Sequence, residues 1–381
     1  MLELNCRARN VALACLAGLG MLSGCASDGG DKGLSSLWPF GSKPQQPATV
    51  EINHDDYAKL GYKIQWTGYA AMEKGARLIR ADVLGDVLVV IDNNAYLTTI
   101  STASGTARWS TIADERLASF VGVLRSGRRL IVCSNYQASF FDLETGTLQD
   151  KQRFERVVST RPIMIGPYLV FGTRGGEVMA HLMINGFRAW GYALTGPIEA
   201  DPVQMEDDAA FVSESGDVII LDAQTGNAKG RTRIYGGAAA APATSGEAIY
   251  IASKDQSVYC IERFGGATRW RYRTDSVLTS TPVFAGGVLY VDVPSAGLTA
   301  MEARTGKRLW AASGVSGTVI GTRAGKLLVW DGRHAVTLEK DGAVSQRVEI
   351  PGAAALVTDR FDDGDLYVVR AGGSISRFVP R

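Results

Sequence analysis

A turn glycine recurs along this chain at Gly105, Gly146, Gly186, Gly226, Gly266, Gly306 and Gly342, at spacings of 41, 40, 40, 40, 40 and 36 residues. A second ladder runs in step with it, at Pro162, Pro202, Pro242 and Pro282, each 40 apart. Two residue types with different backbone roles keep one period, so the chain is built of repeats. A period near 40 residues fits the four-stranded blades of a β-propeller, in which each unit buries its faces against its neighbours.

The stretch from Thr281 to Ser313 shows the plan of one repeat. Pro282-Val283-Phe284 is a short apolar strand and Gly286-Gly287 a turn. Val288 to Val291 is a second strand, rich in β-branched and aromatic residues. Leu298 to Glu302 alternates as a third, Arg304-Thr305-Gly306 makes a hairpin loop with glycine at the position needing positive φ, and Lys307 to Ala311 is the fourth. The second-strand pattern occurs eight times, at Val87–Val90, Leu130–Cys133, Tyr168–Phe171, Ala210–Ser213, Ile249–Ala252, Val288–Val291, Leu327–Trp330 and Leu366–Val369. The last repeat stops after its third strand, Ser374 to Phe378. Tyr62 to Trp66 reads as a fourth strand with nothing before it. The expected fold is therefore all-β: an eight-bladed propeller of four-stranded antiparallel blades over residues 50–381, its ring closed by an N-terminal strand. Closure removes strand edges that would otherwise pair with other chains.

Tryptophans mark the ends of fourth strands at Trp66, Trp109, Trp190, Trp270 and Trp310. Their even period spreads them around the ring, which predicts packing between blades rather than a ligand platform. Asp150, Gly230 and Gln346 stand where the remaining repeats would carry Trp, so those three junctions are expected to pack differently.

Residues 1–24 read as a signal peptide: Arg7 and Arg9 precede the apolar run Val11 to Leu22, which is too short to span a membrane. Leu22-Ser23-Gly24-Cys25 resembles a bacterial lipobox, in which Cys25 carries the fatty-acyl (palmitate) anchor; the plainer alternative is a signal peptide with an incidental cysteine. Ala26 follows, where an Asp would signal inner-membrane retention, so the resemblance implies the outer membrane. Residues 25–49 have the Gly, Ser, Pro and Gln content of a flexible tether. Within it, Leu37-Trp38-Pro39-Phe40 is either a stray apolar cluster or a short docking peptide.

Chemistry-bearing residues are sparse. With 40 basic against 39 acidic residues the net charge is +1, basic residues are read as not clustering, and the densest basic spot, Arg128-Arg129, reads as a solvated turn, so the footprint of a nucleic-acid binder is missing. After processing, Cys133 and Cys260 remain, three blades apart, and read as small buried hydrophobes. His54, His181 and His334 form no metal or catalytic spacing. Asp55-Asp56, Asp207-Asp208 and Asp362-Asp363 read as solvated turns, and Asp362-Asp363-Gly364-Asp365 lacks the spacing of a calcium loop. No helix of useful length is expected after the signal peptide, so neither catalytic, cofactor nor metal residues are assigned.

Asp222-Ala223-Gln224-Thr225-Gly226, Glu302 to Trp310 and Pro282 to Val291 resemble the quinoprotein (PQQ) repeat, and the resemblance covers about residues 60 to 381. Two branches share that repeat. The quinoprotein alcohol dehydrogenases carry an adjacent Cys-Cys pair over the quinone and a Ca²⁺ held by Glu, Asn and an Asp base; here Cys133 and Cys260 each stand alone. The other branch is the BamB family, propeller lipoproteins of the outer-membrane barrel-assembly machinery, and the lipobox, tether and eight repeats look most like it. That resemblance implies a non-enzymatic scaffold without a cofactor, lipid-anchored on the periplasmic face of the outer membrane. It implies one copy within a complex, touching the periplasmic domains of the barrel-forming subunit through blade-edge loops. No interface residue carries over by motif. The alternatives are a quinone-dependent or other small-molecule enzyme working in the central funnel, and a module binding cell-envelope polymers.

Overall fold

The computed structural model describes residues 52–381; the expected signal peptide, Cys25 and the expected tether with its Leu37–Phe40 cluster lie outside the described residues. Thirty-two strands form eight four-stranded antiparallel sheets arranged as the blades of a propeller. Blades 1 to 7 run from Leu78 to Ile112, Phe120 to Arg153, Ile163 to Ala193, Val203 to Arg233, Ala243 to Arg273, Val283 to Ala312 and Thr318 to Glu349. Blade 8 takes three strands from the C-terminus and its fourth, Tyr62–Tyr69, from the N-terminus. That strand pairs with Ser374–Pro380 from Tyr62↔Pro380 to Tyr69↔Ser374 and extends three residues beyond the segment expected from sequence. Arg323 of blade 7 clamps the two strands that close the ring, donating from Nε to the Gly61 carbonyl (2.9 Å) and from Nη2 to the Arg381 carbonyl (2.8 Å).

The middle strands are apolar on both faces because each blade is covered on two sides. All six residues of Val87–Asp92 are buried, whereas the outer strand Phe187–Ala193 alternates between exposed and half-buried. The hairpin between third and fourth strands explains the repeat signature. Asp142 Oδ1 accepts from the Glu144 and Thr145 amides and from Thr145 Oγ1, and Asp222 does the same for Gln224 and Thr225. Such a carboxylate replaces backbone partners in a tight turn. The Thr145 amide holds the Asp142 carboxyl below its usual range. The glycine follows at positive φ, +75° at Gly105 and +73° at Gly306, and the ladder is bulged just beyond it.

The two halves of the motif meet across blades, not within one turn. Trp270 donates from its indole N–H to the Ala303 carbonyl (3.0 Å) of the next blade and lies over Gly306, where a Cβ would come within 2.6 Å of the ring. Trp66 on Gly105, Trp109 on Gly146, Trp190 on Gly226 and Trp310 on Gly342 repeat the arrangement. The tryptophans sit inside the fourth strands rather than at their ends, which centres each indole on the neighbouring turn.

Each junction without Trp has its own substitute. Between blades 2 and 3, Gln152 lies against Gly186 and donates to the Met183 carbonyl (2.8 Å), the bond an indole makes elsewhere, while Asp150 and His181 hold its amide. Between blades 4 and 5 the backbones themselves meet: Gly230 bridges Gly265, and a Cβ on Gly230 would lie 2.8 Å from the Gly266 amide, so no side chain fits. A buried ionic network also crosses this junction, with Asp208 accepting from Arg263 Nε (2.7 Å) and facing Lys229 Nζ (2.6 Å). This corrects the reading of Asp207-Asp208 as a solvated turn: Asp207 is exposed, but Asp208 is wholly buried. Between blades 7 and 8 a short helix, His54–Lys59, fills the gap. It is capped by Asn53, carries Asp55 and Asp56 in its first turn, and buries Tyr57 flat against Phe378 (3.7 Å). The sequence shows too few residues there for a helical period.

The proline ladder marks the inner strands. Pro162, Pro202, Pro242 and Pro282 each precede the first strand of blades 3 to 6, which is cut to three, three, two and three residues, against seven in blades 1 and 2. Proline supplies no N–H to a ladder and so limits where pairing can begin.

Candidate functional site

Antiparallel order sends the first–second and third–fourth hairpins to one face of the ring, and the second–third turns and blade-to-blade linkers to the other. The linker face carries Leu117, Tyr136, Val157, Tyr235 and Val277 exposed. Leu117 is the extreme, at 95% exposure. Scattered exposed apolar residues are ordinary, but Leu117 and Tyr136 line one cleft together, and contiguous apolar surface marks interaction sites.

Leu117 stands at the rim of a cleft of about 470 Å³ between the linkers that enter and leave blade 2. Asp114, Glu115, Tyr136, Gln137, Arg153 and Phe154 complete its walls. The linker is braced. Asp114 Oδ1 accepts from Gln137 Nε2 and the Glu115 amide (both 2.8 Å), and Arg116 reaches the Glu73 carboxylate (3.2 Å) in the linker from blade 8 to blade 1. Opposite, the Phe154 amide donates to the Tyr136 carbonyl (2.7 Å), and the Phe154 ring packs on Phe171 at 4.7 Å. Leu117 is thus held outward by ordered neighbours. The cleft offers apolar surface with carboxylates on one side and a guanidinium on the other, chemistry suited to gripping a polypeptide.

The groups that could do catalysis are scattered or sealed. Burial pushes the Cys133 thiol up to about 12 and the Cys260 thiol up to about 11, and both are free. Thiols so raised are inert at neutral pH. His54 is exposed on the short helix, and His334 Nδ1 is 3.0 Å from Asp331 in a turn of blade 7. His181 is buried in blade 3, edge-on to Phe154, and burial pushes it down to about 4. Asp362 and Asp363 are tied to Thr322, Arg323 and the Ala324 amide. On the inner strands Asp82 is flanked by Arg80 Nε (2.7 Å) and Arg161 (3.7 Å). Among the described residues no group of three His, Cys, Asp or Glu could hold a metal.

His181 gives the fold a pH signature. Its folded pKa lies below its usual 6.5, so the unfolded state binds the proton first, and stability is lost as pH falls from about 6.5 towards about 4. Replacing His181 by Gln is expected to flatten the melting temperature across that window relative to the parent; an unaltered slope would show that the imidazole stays neutral in both states.

A family model described as outer membrane protein assembly factor BamB matches residues 63–272 and 214–355. The chain belongs to the BamB family. Among solved structures, BamB from Moraxella catarrhalis superposes with a TM-score of 0.67 at 16% identity, over 84% of this chain and 99% of that one. The computationally designed protein Ika8 superposes with a TM-score of 0.65 at 11% identity, over 80% and 96%. At such identities the likeness is one of fold, and fold alone does not set function. A curated relative, the serine/threonine-protein kinase AfsK of Streptomyces griseus, is 31% identical over 157 residues, 36% of this chain and 19% of the kinase. The chain therefore spans less than a fifth of that kinase's length. In this BamB-family propeller Trp66, Trp109, Trp190, Trp270 and Trp310 are brought onto Gly105, Gly146, Gly226, Gly306 and Gly342, whereas Gly186 and Gly266 meet no Trp, and the linker-face cleft had no sequence signal beyond a lone apolar residue in a polar linker.

Proposed function

We propose that the protein is a non-enzymatic scaffold of outer-membrane barrel assembly, anchored through Cys25 on the periplasmic side and gripping a barrel-assembly subunit with its linker face. Family membership supplies the class of process. The observation that carries the docking role is the braced, outward Leu117 beside the exposed Tyr136 at the rim of the cleft. Such an arrangement presents apolar surface with charged groups at its margin, as a protein-docking surface does.

Immobilised protein incubated with detergent extracts of its own outer membranes should retain the barrel-forming subunit. Leu117→Asp combined with Tyr136→Asp should lower that capture about tenfold while leaving the melting temperature unchanged, because central apolar contacts dominate such interfaces. Recovery of no barrel-assembly subunit by the parent protein overturns the scaffold reading. In cells, Cys25→Ala should move the protein to the soluble periplasm; continued membrane attachment overturns the anchor.

A further inference from the structure

The outer strands of blades 4 and 5 are unlike the other six. They read Ala-Lys-Gly-Arg-Thr-Arg (Ala228–Arg233) and Thr-Arg-Trp-Arg-Tyr-Arg (Thr268–Arg273), with cations at alternate positions and no acid on either. Lys229, Arg231 and Arg233 stand exactly one 40-residue period before Arg269, Arg271 and Arg273. Blade 2 by contrast carries Asp150 on its outer strand and blade 7 carries Glu349.

Register shows where the side chains go. Arg231 lies opposite Ile219, whose side chain belongs to the core shared with blade 3. Arg271 lies opposite Tyr259, which belongs to the core shared with blade 4. Arg231 and Arg233 therefore flank the outer edge of blade 4 on one side, and Arg271 and Arg273 flank it on the other. Arg271 is set in place by Asp255 (2.9 Å) and lies over the rings of Tyr259 and Tyr235. Arg233 approaches Asp217 only at 3.9 Å. Arg231 and Arg273 have no ion pair or hydrogen bond to a described residue. The acids facing the inner pair of these rows lie deeper than the cations, Asp217 and Asp255 being nearly covered while Arg233 is largely open, whereas Arg269 is met by the equally exposed Glu262 and so adds no net charge to the edge. Positive charge is thus outermost.

We propose that this edge is a second docking surface, taking an acidic polypeptide segment laid across the Thr232–Arg233 end of the outer strand of blade 4, beyond the stretch at Lys229 and Gly230 that the Gly265 turn of blade 5 already pairs, between the two rows of guanidinium groups. An extended chain sends successive side chains to opposite sides, and same-side residues recur about every 6.6–6.8 Å. Carboxylates on such a segment address the two rows in turn, at the spacing of Arg231 and Arg233 on one side and Arg271 and Arg273 on the other. Guanidinium suits carboxylate in fork geometry. A planar anionic membrane fits less well, because the rows lie in two different wedges between blades. The surface is separate from the linker-face cleft and does not depend on the barrel-assembly reading.

The test uses the full chain and a fluorescein-labelled oligo-glutamate peptide, followed by anisotropy, with oligo-glutamine as the neutral probe. The parent should bind oligo-glutamate and not oligo-glutamine, and should lose the complex as salt rises from about 0.01 M to about 1 M and the screening length shrinks from about 30 Å to about 3 Å. Arg231→Glu with Arg273→Glu should weaken binding about tenfold, whereas Arg128→Glu with Arg129→Glu, an equal change of net charge at exposed positions elsewhere, should not. Leu117→Asp should leave peptide binding intact. Failure to bind oligo-glutamate, or equal loss in both charge-reversal pairs, overturns the proposal. So does phosphatidylglycerol vesicle binding that falls with Arg231→Glu and Arg273→Glu while peptide binding does not, since the edge would then be a lipid-facing one.

Discussion

A chain lacking residues 52–69 should lose the cooperative melting of the whole ring and aggregate. Those residues supply the fourth strand of blade 8, the indole of Trp66 and the helix that seals the junction between blades 7 and 8. Tyr57, Leu60 and Tyr62 are all buried in the core shared by those two blades. Losing one large buried side chain costs about 3–5 kcal/mol, and a typical domain has only about 5–15 kcal/mol to lose. Removing several together should exhaust it. The deletion also exposes the whole edge of Ser374–Pro380, which the N-terminal strand now covers, and an open edge invites pairing with other chains. Calorimetry of the truncated and parent proteins decides the point. A truncated ring that melts as one transition at the parent's temperature would mean that blade 8 is held by its three C-terminal strands alone. The double substitution Tyr57→Ala and Trp66→Ala keeps the strand pairing, and should fall between the two.

Most of the architecture was legible because the signal repeats. Gly306 and Trp270 are far apart in sequence but occupy fixed addresses in successive repeats, so period alone places one over the other. Where a junction abandons the fastener, period says only that something else must be there. Gln152 does the work of an indole from two positions beyond Asp150; Tyr57 arrives from outside the repeats altogether. Asp208 and Arg263 are 55 residues apart and off the 40-residue ladder, so nothing in the sequence announces that they meet. The Asp207-Asp208 pair looked like a turn because a turn is what Asp207 occupies, while strand alternation carries Asp208 inward. The arginine rows were legible in principle. A search for contiguous basic runs finds Arg128-Arg129 and passes over cations separated by one residue, though strand geometry places those on one side. Leu117 was not legible, since exposure of a single linker residue depends on the hydrogen bonds of Asp114 and Arg116 that hold it out.

Asp208→Ala should destabilise the protein by about 3–5 kcal/mol, the range for breaking a buried ion pair by removing one partner. Asp208 has no solvent exposure and sits between two cations, Arg263 at 9% exposure and the half-open Lys229. Without the carboxylate, Arg263 keeps Glu206, which is largely in solvent, the Gly246 carbonyl and the exposed Phe264 ring at 5.3 Å. Lys229 can turn outward to Asp222, so the cost falls mainly on Arg263. Glu206→Ala removes an exposed partner of the same guanidinium and should cost less than about 1 kcal/mol. The pair of substitutions Asp208→Leu and Arg263→Met replaces charge by apolar volume and should recover most of the loss, because an apolar replacement escapes the desolvation of both ions. Chemical denaturation of the three variants separates the two ways this junction could be held. If Asp208→Ala unfolds at the parent's midpoint, the backbone contact of Gly230 with Gly265 suffices. If only the double apolar variant recovers, the ionic network stands in for the tryptophan that Gly230 leaves no room to accommodate.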